Sequence, residues 1–195
     1  MSIPDDLWIK ALAMGLSLAW GFGEQFLAIR NRRKNGRADQ EKDQGSFLWI
    51  TLSVSIGMTI ACVFAFSGRG ALQHPHGWEV AGLLVMLAGA GLRIHAIRIL
   101  AHHFTSRVTL LEDHALIREG AYRYVRHPSY LGQILILVGL GALMANRVSL
   151  VAAPLFTIVA LLFRIRVEER AMAEHFGQAY EAYRRETWRL LPPIW

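Results

Sequence analysis

The sequence holds a single cysteine, Cys62, among 195 residues. No intrachain disulfide can form, and no cysteine pair is present to hold zinc or an iron–sulfur cluster. Charge is scarce too. Asp, Glu, Lys and Arg make up 18% of the chain, against roughly 25% in a typical soluble domain. The 6 prolines and 17 glycines follow no period, which excludes a collagen-like chain. There is no phosphate-binding glycine loop, no nucleophile elbow and no HExxH pair, so three common enzyme chemistries lose their usual signatures. The first apolar stretch lacks the basic start of a signal peptide and is preceded by Asp5 and Asp6.

What the chain has in excess is apolar surface. Hydrophobic residues make up 53% of it, and glycine raises the apolar share to about 62%, above the usual 45–50%. The excess is gathered into runs. Phe47 to Ser67 carries no charge, and as a helix it spans about 30 Å, the thickness of a hydrocarbon core. Pro128 to Asn146 and Val148 to Phe163 are similar. Ala11 to Gly23 extends to Leu7 and Leu27 if Lys10 snorkels. The sequence therefore predicts an all-α polytopic membrane protein forming one domain, 1–195. About five transmembrane helices are expected near 7–29, 47–67, 78–100, 129–145 and 148–165. Pro154 falls inside the fifth, where membrane helices tolerate it. Cys62 reads as a small packing residue.

The formal net charge of +6 first suggests a nucleic-acid partner, but the positions of the charges argue otherwise. Of 36 charged residues, 29 fall in Arg30–Asp43, Arg93–Arg126 and Arg164–Arg189. Five spans put all three basic segments on one side, which the positive-inside rule makes cytoplasmic. The N-terminus is then outside, and the C-terminus and active site are cytoplasmic. The basic excess reads as topology and contact with the lipid bilayer, with no nucleic acid. The loop 31–44 reads as a solvated anchor. His74 and His76 on the outer side are a weak metal signal, and no metal is expected. Asn146 is expected to cap a helix in the outer turn. Arg93, His95 and Arg98 are expected to snorkel at the end of the third span, a functional role being the alternative.

After Phe163 the pattern becomes amphipathic. Met172, Phe176, Ala179, Tyr180 and Tyr183 recur at three- and four-residue spacings, opposite Glu174, Glu181, Arg184 and Arg185. A C-terminal amphipathic cytoplasmic helix is expected, ended by Leu191-Pro192-Pro193. The densest polar segment is Arg107–Tyr130. Gly120 permits a turn or a close approach. Pro128 suits a first helical turn with His127 near the cap. From spacing alone, Arg126-His127-Pro128 reads first as an interfacial helix start.

The run His114-x-Leu116-Ile117-x-x-Gly120-x-Tyr122-x-x-x-Arg126-His127-Pro128-x-Tyr130-x-Gly132 resembles the signature of the isoprenylcysteine carboxyl methyltransferase family. That family is related to the phospholipid N-methyltransferases. The resemblance continues through Arg164-x-x-x-Glu168-Glu169 and Phe176-Gly177-x-x-Tyr180-x-x-Tyr183. It divides the chain into a scaffold, 1–89, and a methyltransferase-like half, 90–195. It implies S-adenosyl-L-methionine as cofactor, contacted by His114, Leu116, Ile117, Tyr122, His127, Pro128, Tyr130 and Glu168. It assigns catalytic roles to Arg164 and Glu168, with Arg164 facing a lipophilic methyl acceptor. A carboxylate at Glu168 suits a cationic ligand, and the fork of Arg164 suits a carboxylate. Without the resemblance, Glu168 is equally an exposed helix-face charge and Arg164 a snorkelling one. Arg107 aligns with a cofactor-contact position and is carried only weakly. The compact size looks like prokaryotic members of the family, in a cytoplasmic membrane. Phospholipid amines and small thiols are alternative acceptors. An NADPH-dependent membrane reductase and a non-catalytic membrane protein are readings of other classes.

Overall fold

The computed structural model describes residues 8–16, 19, 23, 46–100 and 116–193. All regular structure among them is helical, apart from isolated bridge pairs. The main helices are α1 (Ser46–Ser67), α2 (Pro75–Leu100), α3 (Pro128–Leu143), α4 (Arg147–Phe176) and α5 (Gln178–Glu186), with a 3-10 turn at Gly120–Arg123. Residues 8–16 are also helical. Three helices are long and apolar enough to cross a membrane: Trp49–Ser67, Pro75–Leu100 and Arg147–Phe176. The fourth apolar helix, Pro128–Leu143, is shorter, with 16 residues. Most of the expected first span, and the basic loop at 31–44, lie outside the described residues.

The helices pack in the spatial order α1, α4, α3, α2. Lipid tails are as apolar as leucine, so close backbone approach must supply much of the helix–helix attraction. Small residues allow it. A Cβ at Gly139 would lie 2.5 Å from the Met86 nitrogen, and one at Gly132 would lie 2.7 Å from the Gly89 carbonyl oxygen. The α2–α3 seam therefore has no room for side chains there. Ile136, Leu137, Leu140, Leu143, Met144, Ala61, Ala65, Met86 and Ala153 belong to one buried cluster, and Cys62 packs on its edge.

Asn146 ties the hairpin between α3 and α4. Its Oδ1 accepts from Val148 N at 2.9 Å and Ser149 N at 3.2 Å, capping α4. Its Nδ2 donates to the Arg69 carbonyl at 2.8 Å and the Phe64 carbonyl at 3.3 Å, reaching the end of α1. The cap expected from sequence is there, together with an interhelical tie that the sequence does not reveal. Asn146→Ala removes both and is expected to lower stability by about 2 kcal/mol. Thermal unfolding in detergent measures this loss.

The tail departs from expectation. One amphipathic helix reaching Leu191 is replaced by two pieces. Gly177, with φ +52° and ψ −125°, ends α4, a positive-φ conformation that glycine adopts at little cost. The helix α5 then stops at Glu186. Of the expected apolar face, Tyr180 and Tyr183 are buried but Ala179 is exposed. Beyond α5 the chain extends and pairs with the residues before α3. Trp188 N donates to the Tyr124 carbonyl at 2.9 Å, Arg126 N to the Trp188 carbonyl at 2.8 Å, and His127 N to the Arg189 carbonyl at 3.2 Å. Those backbone bonds win over continued helix because they satisfy groups on both segments.

Candidate active site

The first turn of α3 supplies one wall of the site. His127 is the N-cap residue and Pro128 the first helical residue, where its missing N–H costs nothing. Pro128 is fully buried, so it shapes the turn more than it offers a contact. Opposite stand Arg164 and Glu168 on α4, four residues apart and therefore on one face. The Tyr130 hydroxyl lies between them. It accepts from Arg164 Nε at 2.7 Å and donates to Glu168 Oε2 at 2.7 Å. Arg164 is buried, whereas 33% of the Glu168 side chain is exposed. Glu168 thus presents a carboxylate to an accessible face, and its orientation is fixed by a phenol.

Glu169 is one step round the helix and does something different. Its buried carboxylate accepts from Arg126 Nε at 3.0 Å and from Arg189 Nη2 at 2.9 Å and Nε at 3.2 Å. Arg126 also donates to the carbonyls of Arg184 and Thr187. The clamp locks α4, the segment before α3 and the C-terminal tail together. His127 lies between the two glutamates. Its Nε2 is 3.5 Å from Glu169 Oε1 and its Nδ1 3.9 Å from Glu168 Oε2. Nε2 is buried without a well-formed hydrogen bond. The imidazole stacks on the Tyr130 ring, 5.5 Å between centroids and 13° from parallel.

The helix α5 closes one side. Tyr183 Oη donates to the Tyr122 carbonyl at 2.7 Å. Burial pushes the Tyr183 phenol up to about 12, so it remains a donor at neutral pH. Arg118 Nη2 donates to the Ala179 carbonyl at 2.6 Å, and its guanidinium lies 5.3 Å from the centre of the Tyr183 ring. The Gly120 turn is needed where it stands. Its φ is +54°, and a Cβ there would meet Ile99 Cδ1 at 2.2 Å.

The structure thus brings Tyr122, His127, Pro128, Tyr130, Arg164 and Glu168 to one end of the helix bundle. Leu116 and Ile117 are half-buried in the strand-free segment leading to Gly120. His114, His102, His103 and Arg107 lie outside the described residues. Sequence reasoning missed the clamp of Arg126, Glu169 and Arg189. The adjacent Glu168 and Glu169 were the available signal, since neighbours on a helix cannot share a face. The snorkelling expected for Arg93 is also overturned. Arg93 is buried and hydrogen-bonded to Ser129, while His95 and Arg98 are exposed. Arg93 finds acceptors on α3, which outweighs the pull of the interface. His76 on the outer side pairs with Glu79 at 2.9 Å, and no group of three or more metal-binding side chains occurs among the described residues.

The isoprenylcysteine carboxyl methyltransferase (ICMT) family profile matches residues 81–174. Protein-S-isoprenylcysteine O-methyltransferase B of Arabidopsis thaliana is 32% identical over 141 residues, 69% of this chain and 68% of that protein. The chain belongs to the isoprenylcysteine carboxyl methyltransferase family. The Schizosaccharomyces pombe protein-S-isoprenylcysteine O-methyltransferase is 40% identical over 86 residues, 43% of this chain and 35% of that protein. The chain spans 60% of the length of a rice relative, so several family members carry considerable sequence beyond what is matched here. The fold is that of the eukaryotic intramembrane Ras methyltransferase ICMT solved without a monobody. The TM-score is 0.71 at 23% identity, covering 100% of this chain and 70% of that one. The family profile includes the Arg126–Tyr130 turn and the Arg164–Glu169 segment, the two pieces that meet at Tyr130.

Proposed function

We propose that this chain is an integral membrane methyltransferase that uses S-adenosyl-L-methionine and acts on a lipophilic acceptor bearing an isoprenylcysteine-type carboxylate. The observation that carries this reading is the hydrogen-bonded line Arg164–Tyr130–Glu168. It sets a guanidinium and a partly exposed carboxylate side by side at a fixed spacing. Five spans, with the N-terminus outside and the site facing the cytoplasm, fit the one-sided basic segments.

The residues present fit the cofactor. When bound, S-adenosyl-L-methionine supplies a methyl group activated by a sulfonium. Glu168 offers the anionic partner that the cationic part of such a ligand needs in a partly dry site. His127 Nε2 is a buried polar atom without a good partner in the protein. Leu116, Ile117, Tyr122 and the His127–Tyr130 turn supply the surrounding wall, with α5 over it. Arg164 orients the acceptor carboxylate through its planar fork. A carboxylate with a pKa near 4 is already ionised at neutral pH, so no residue has to remove a proton. The protein's task is then alignment and exclusion of water, which can account for a large share of the rate.

Labelled S-adenosyl-L-methionine should bind detergent-purified, folded protein in a saturable way. Absence of binding by a folded preparation would overturn the reading, and binding of NADPH in its place would favour a reductase. Methylation of a prenylated cysteine analogue, but not of its carboxamide, identifies the acceptor group.

A further inference from the structure

We infer that Arg93, outside the two motifs, is a positioning residue that sets the direction of Tyr130 and through it the carboxylate of Glu168. This rests on the reading of the site as a cofactor site. Arg93 lies on α2 and is 6% exposed. Its Nη1 donates to the Ser129 carbonyl at 3.0 Å and to Ser129 Oγ at 2.8 Å. Ser129 stands between Pro128 and Tyr130 in the first turn of α3.

The backbone at Arg93 has little freedom. A Cβ at Gly132 would lie 2.9 Å from both the Arg93 nitrogen and the Arg93 Cβ. Ser129 and Gly132 are three residues apart and share the α3 face against α2. Tyr130 is about 100° further round, toward α4. The first turn of α3 is therefore gripped from two sides, by Arg93 through Ser129 and by Arg164 through Tyr130. The Tyr130 hydroxyl lies at the end of a long side chain, so a small rotation of the turn displaces it strongly.

Stability gives a poor reason for an arginine here. A cation beside a helix N-terminus is unfavourable, and a buried arginine in a membrane helix is costly. Holding the turn in register supplies the reason. A displacement of about 1 Å at such a position can cost roughly a hundredfold in rate.

The test is a double-mutant cycle on S-adenosyl-L-methionine affinity, with melting temperatures measured in parallel. Arg93→Met, which removes both bonds to Ser129, and Tyr130→Phe, which removes the bonds to Arg164 and Glu168, should each weaken binding about tenfold by misplacing Glu168. The double variant should bind no more weakly than the worse single one, because the proposed effect of Arg93 on the site runs through Tyr130. Arg93→Lys should recover part of the affinity. Where Arg93→Met does not fold, Ser129→Ala takes its place in the same cycle, with a smaller expected loss because the carbonyl remains. Multiplying penalties, or an Arg93→Met that alters melting but not binding, would make Arg93 a plain interhelical staple and overturn the proposal. Tyr130→Phe binding as tightly as the wild type would instead overturn the reading of the site, and the proposal with it.

Discussion

Glu168→Gln is expected to weaken S-adenosyl-L-methionine binding by about ten- to a hundredfold while leaving the protein folded. The substitution keeps the shape of the side chain and a hydrogen-bond acceptor for Tyr130 Oη, but removes the negative charge. A charged hydrogen bond is worth about 1.5–3 kcal/mol, and each 1.4 kcal/mol is tenfold in affinity. A third of the Glu168 side chain is exposed, so little packing is lost. Calorimetry or labelled-cofactor binding measures the change, and a melting curve verifies the fold. Affinity equal to wild type would remove Glu168 from the site.

The neighbouring substitution should do the opposite. Glu169→Leu leaves Arg126 and Arg189 without the carboxylate that holds both. Removing one partner of a buried ion pair costs about 3 kcal/mol or more. For a chain of this size that lowers the melting temperature by roughly 10 °C. The Arg126 side chain is 7% exposed against 24% for Arg189, so Arg126 bears most of the penalty, while Arg189 can turn to water. Arg189→Ala should accordingly be milder than Glu169→Leu. Any fall in cofactor affinity should follow from loosening of the Arg126–His127 segment. A Glu169→Leu protein as stable as wild type, with its affinity abolished, would reverse the roles assigned to the two glutamates.

These paired outcomes mark how far the sequence could be read. Its motif residues Tyr130, Arg164 and Glu168 do meet, and spacing explains part of that: positions four apart on α4 must share a face. The sequence also placed Pro128 in a first helical turn and Asn146 as a cap, because proline has a fixed φ and the asparagine side chain accepts from the first N–H groups of a helix. It singled out Glu168 through the resemblance but gave no role to Glu169, whose partners Arg126 and Arg189 lie far away in the chain. Nor did it foresee that Arg93 turns inward. A basic residue near the end of an apolar run is compatible with snorkelling or with a buried partner, and only the position of Ser129 distinguishes them. The unbroken tail helix failed because helical periodicity persists across Gly177, whereas the backbone there takes a positive φ.

By itself, the sequence determined the all-helical class, the apolar runs and the local starts of helices. Each follows from hydrophobic length, periodicity or the backbone preference of single residues. Tertiary structure alone decided the partners of Arg93, Arg126 and Glu169. Arg126, Glu169 and Arg189 come together because the extended tail pairs with the segment before α3, and Arg93 reaches Ser129 because glycines bring α2 and α3 into backbone contact. These are long-range contacts, and no local pattern in a single chain encodes them.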